Sequence, residues 1–135
     1  MFDPLIPLTT DADLLAMVRD AVGAANQRQT WLFLLDDEQR VFPELLPIID
    51  EIPVDPDPDD IARFAAMITQ VVDTVEEVRS AVLVWERHGS AEVRMQEADW
   101  IAGLAASGAP IRAQLIASDD GVHLVDPAFA ALVAS

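Results

Sequence analysis

Between Ile61 and Trp85 the hydrophobic period switches from that of a helix to that of a buried strand, and few architectures accommodate the switch. Ile61, Phe64, Ala65, Ile68, Val71, Val72, Val75 and Val78 lie three and four apart, one stripe of a helix about five turns long. Its other side carries Arg63, Gln70, Asp73, Glu76 and Glu77. Ala81 to Trp85 then runs apolar without a break. A strand with no polar side must be covered on both faces, so it is central in its sheet and has helices above and below.

The remaining elements follow from local signals. Thr10 with Asp13 reads as a helix N-terminus, and Leu14, Val18, Ala21, Val22 and Ala25 continue it as an apolar stripe ending near Gln27. Trp31 to Leu35, the polar loop Asp36 to Arg40, and Val41 to Ile49 read as a hairpin whose second strand is interrupted by Pro43 and Pro47. Residues 50–60 hold six acids and three prolines and form a solvated connector. A calcium loop is disfavoured there because the EF-hand glycine turn and terminal Glu are absent. Asp57 is the expected N-cap of the helix that follows, with Pro58 in its first turn. Gln96 to Ser107 is a third helix, facing Trp100, Ile101, Leu104 and Ala105 inward and stopped by Gly108-Ala109-Pro110. Ile111 to Ala117, Asp119-Asp120-Gly121 and Val122 to Val125 make a closing hairpin.

The expected fold is therefore α/β (α+β), a mixed sheet of about five strands covered by three helices in three layers. One domain fills the chain of 135 residues, with an arm at 1–9, a core at 10–126 and an apolar tail at 127–135.

Charge and residue usage narrow the function. Twenty-four acidic residues against eight basic ones leave a net charge of −16. Such a surface repels phosphate backbones and anionic lipid, so neither nucleic acid nor membrane is an expected partner. All the basic residues are arginine, a usage that fits a GC-rich bacterial genome. No apolar run approaches a membrane span and no signal-peptide pattern opens the sequence, so the expected location is cytoplasmic. Cysteine is absent, which removes disulfides, thiolate zinc sites and cysteine nucleophiles.

One segment carries residues suited to chemistry. Glu86, Arg87 and His88 leave the carboxyl end of the central strand, where open α/β sheets place their sites, and Asp99 enters the next helix. Glu86 and His88 alternate out of the strand on one side. Carboxylate, imidazole and carboxylate are competent zinc ligands that leave a fourth position for water. The bland reading makes Glu86 and Arg87 solvated strand-end residues, His88 the start of a His-Gly turn, and Asp99 a first-turn acid favoured by the helix dipole. Trp31, Trp85 and Trp100 stand at element ends, either lining one pocket or sealing the edges of the core.

The strand AVLVW followed by ERHGSAEVRMQEAD resembles the JAB/MPN (JAMM) metalloprotease core, and its bacterial RadC-type branch in particular. That family's motif is H-x-H-x7-S-x2-D, and this chain reads Glu86-x-His88-x7-Gln96-x2-Asp99 with the spacing intact. The similarity extends over roughly residues 30 to 126. It implies a zinc held through Glu86, His88 and Asp99, with Glu44 on the preceding hairpin as general base. The first histidine, the serine and a proline of the family pattern are replaced here by Glu86, Gln96 and Gly89. Such losses suit a degenerate member that kept the scaffold and lost the metal.

Two functions follow. The first is a non-catalytic JAB-like scaffold that binds no cofactor and acts by protein–protein contact, with a protein partner or as a homodimer. Its surface would be the stripe Ala62, Ala66, Met67 and Thr69, or the tail. The second is a zinc-dependent isopeptidase-type hydrolase with an atypical Glu-His-Asp site. Arg79, Arg87 and Arg94 form the one net-positive stretch and would bind an anion if they converge.

Overall fold

Capping chemistry sets where the helices begin. The computed structural model describes residues 10–22, 29–38, 40, 56–90, 92–126 and 128. The first helix, α1 (Asp11–Val22), starts where the Thr10 hydroxyl accepts the Asp13 N–H at 3.1 Å. Helix α2 (Pro58–Thr74) opens on a reciprocal box, Asp60 N–H to Asp57 Oδ1 at 2.8 Å and Asp57 N–H to Asp60 Oδ2 at 3.1 Å. Helix α3 (Met95–Ala106) is followed by Gly108 at φ +84°, a conformation that side chains with a Cβ resist.

The strands are β1 (Gln29–Asp36), β2 (Val78–Glu86), β3 (Ile111–Ser118) and β4 (Gly121–Leu124). They lie in the order β1-β2-β3-β4, with β1/β2 and β3/β4 antiparallel and β2/β3 parallel. The fold is thus α+β, three helices on a mixed sheet of four strands among the described residues. The expected further strand, Val41 to Ile49, lies outside the described residues, as do the arm, the extension of α1 to Gln27 and nearly all of the tail. A bond from Asp36 N–H to the Arg40 carbonyl (2.9 Å) does turn the chain back after β1.

One boundary differs from expectation. Val78 continues the helical spacing in sequence, yet α2 ends at Thr74 and Val78 begins β2. Val75 is already extended, at φ −93° and ψ 107°, and the Val78 N–H returns to its carbonyl at 3.0 Å. Starting β2 at Val78 lets it pair with β1 down to Asp36, a gain in ladder that the apolar period alone does not reveal.

Side-chain parity along β2 divides the core in two. Ala81, Leu83 and Trp85 pack with Leu32 and Leu34 against Phe64 and Ile68 of α2 and Ile101 and Leu104 of α3. Val82 and Val84 pack with Phe33 and Leu35 against Leu14, Met17 and Val18 of α1. The sheet is therefore a middle layer, with α1 on one face and α2 with α3 on the other. Ala105, expected inward, is exposed, and Ala98 is buried instead. Helices α2 and α3 approach closely at Gly103, where a Cβ would stand 2.9 Å from two carbons of Ile61.

The tryptophans divide by the same parity. Trp85 and Trp100 lie with Phe64 in the two-helix layer, their centroids 5.5 to 6.2 Å apart. Trp31 stacks on Phe33, its neighbour two residues along β1 on the α1 face. They seal core edges rather than line one pocket. The Trp85 indole donates to Gln114 Oε1 (3.1 Å), and the Gln114 amide donates to the Ile101 carbonyl (3.0 Å), so this buried polar chain is satisfied.

Candidate functional site

The parallel strands β2 and β3 both end at one end of the sheet, which the chain leaves after Glu86 to enter α3 at Met95. Glu86 is the last residue of β2 and is 2% exposed. Sharing parity with Val82 and Val84, it turns toward the α1 face. There Oε1 accepts the Gln29 amide at 2.8 Å and the Trp31 indole N–H at 2.7 Å, both from β1. Its carboxylate is built into the β1–β2 pair.

Arg87 faces the opposite way, toward α3, and its side chain is 7% exposed. Nε and Nη2 make a two-point bond to Glu97, at 2.5 Å to Oε2 and 2.9 Å to Oε1. Nη1 donates to the Ser90 carbonyl and more weakly to that of His88, and Nη2 donates to the Glu92 carbonyl at 2.8 Å. Glu97 Oε1 also accepts the Arg94 N–H at 3.0 Å, which satisfies the first free donor of α3 and sets an acid in its first turn. One buried guanidinium thus holds the His88, Ser90 and Glu92 carbonyls and ties them to Glu97 of the helix.

His88 lies beyond the strand and is exposed. Its Nδ1 is 2.9 Å from Asp119 Oδ1, in the β3–β4 turn. Asp119 Oδ2 accepts the Gly89 N–H at 2.8 Å, and the Asp119 N–H donates to the Gly89 carbonyl at 3.1 Å. Gly89 sits at φ +105°, which suits a residue without a Cβ. The Gly89 N–H, then the His88 imidazole and the neighbouring Arg87 charge, hold the Asp119 carboxyl below the usual aspartate range against a small opposing effect of desolvation. The loop after β2 and the turn after β3 are therefore clasped by one carboxylate.

The residues singled out in sequence separate accordingly. Glu86 points to the α1 side, while Asp99 is half-buried on α3, the helix that covers the other face. His88 meets Asp119 rather than either of them. Among the described residues no three His, Asp or Glu side chains converge in an arrangement that could hold a metal. Glu44 lies outside the described residues. Arg87 and Arg94 come together at the His88 carbonyl. Arg79 does not join them. It stands at the start of β2, a strand length of about 26 Å away, donates to the carbonyls of Glu76 and Val78, and lines a polar groove with Asp36, Asp37 and Arg40.

Gln29 and Glu97 are not singled out in the sequence, and Trp31 and Asp119 stand there only as an element-end indole and a turn residue, not as partners of Glu86 and His88. For Asp119 the needed signal is strand register. Once Glu86 pairs with Ala117 in parallel, residues two beyond each must abut. Glu97 carried a visible signal, an acid three residues after Arg94 at a helix start.

A second feature is a surface groove of about 740 Å³ along the solvent side of α2, lined by Ala62, Ala66, Thr69, Gln70 and Asp73 together with Ser107. Met67, expected in this stripe, packs against the core instead. No described helix is long and apolar enough to cross a membrane. Compared with models of known protein families and with curated protein sequences, the chain shows no match.

Proposed function

We propose that this chain is a non-catalytic α+β domain on a JAB-like scaffold that acts by protein–protein contact, with the solvent side of α2 as its contact surface. The observation that carries this reading is the engagement of Glu86. The carboxylate that the motif spacing offers to a metal is bound by Gln29 and Trp31 on one face of the sheet, and Asp99 belongs to the layer on the other. A zinc hydrolase built from Glu86, His88, Asp99 and Glu44 would have to break those two bonds and turn a buried carboxylate across the strand. The groove on α2 supports the second half of the reading, since its small side chains let another backbone approach closely.

Metal analysis of protein purified without chelator tests the first half. The expected result is sub-stoichiometric zinc, unchanged in His88→Ala. Stoichiometric zinc that His88→Ala abolishes would show a metal site at His88 and overturn this reading. Ala66→Arg tests the surface. If this side of α2 faces water in the free chain, the substitution changes unfolding free energy by no more than about 0.5 kcal/mol. A loss several times larger would show that the chain itself covers the groove, and the contact surface would have to be abandoned.

A further inference from the structure

We draw no further inference here: the strongest candidate, the groove between the solvent side of α2 and the C-terminal end of α3, is a stripe of small residues that the proposed function already uses, and nothing in the structure shows what covers it.

Discussion

Removing either partner of the Arg87–Glu97 pair should be among the most damaging single changes available in this chain. The two side chains are 7% and 15% exposed, and Glu97 accepts two bonds from the guanidinium and one from the Arg94 N–H. Glu97→Gln keeps the shape but presents an amide NH2 to donors and leaves a buried cation with carbonyl partners only. Breaking a buried pair from one side costs about 3–5 kcal/mol, and the residual exposure of Glu97 places the expected loss near the lower end, about 3 kcal/mol. Arg87→Leu removes the same pair and also frees the Ser90 and Glu92 carbonyls, so its loss should be equal or larger. The double variant Arg87→Leu/Glu97→Leu restores an apolar contact and should recover about 2 kcal/mol of the summed losses. Urea unfolding of wild type, Arg87→Leu, Glu97→Leu and the double variant, with slopes compared to confirm two-state behaviour, gives the coupling directly. A coupling under about 0.5 kcal/mol would be that of a solvated surface pair and would refute the view that this guanidinium anchors the loop.

Two further tests address packing and pH. Gly103→Ala should destabilise the chain by up to about 2 kcal/mol, because overpacking against Ile61 of about 1–3 kcal/mol outweighs the helix-propensity gain of about 1 kcal/mol; in an Ile61→Ala background the same change should stabilise, and thermal unfolding reads the reversal. Asp119 titrates below its ordinary value in the folded chain, so its contribution is present above the unfolded pKa of about 3.9 and is lost as pH falls through the lower folded value. The stability difference between wild type and Asp119→Asn should therefore shrink as pH falls below about 4, a range in which the His88 imidazole stays protonated; a difference independent of pH from about 5 to about 2 would remove the clasp from consideration.

Much of the architecture could be read from the chain because it depends on period and on local caps. The stripe from Ile61 to Val72, the unbroken run Ala81 to Trp85 and the Asp57-Pro58 start each rest on interactions within one element, and each appears where expected. The end of α2 did not, because Val75 and Val78 satisfy a helical stripe and a strand start equally well. The candidate site was less accessible for a geometric reason. Whether Glu86 meets Asp99 or Trp31 depends on which face of β2 it occupies, and whether His88 meets Asp99 or Asp119 depends on register against β3. Both are long-range properties with no marker in the intervening residues. The spacing shared with a metalloprotease motif describes distances along the chain, and the same distances serve a strand exit whose adjacent residues point to opposite layers.

Adjacent residues of opposite charge, each with its own receptor on a different side of the sheet, have a consequence for folding. A slip of β2 by one position would carry the Glu86 carboxylate toward the two-helix layer and the Arg87 guanidinium toward Trp31, stranding both charges where no counterpart waits. The aliphatic interior of β2, Val82 to Val84, discriminates poorly between such alignments, since its side chains are close in size and equally apolar. Glu86 and Arg87 thus act as an index mark at the end of the strand, making the correct alignment the only one in which both ions find their bonds.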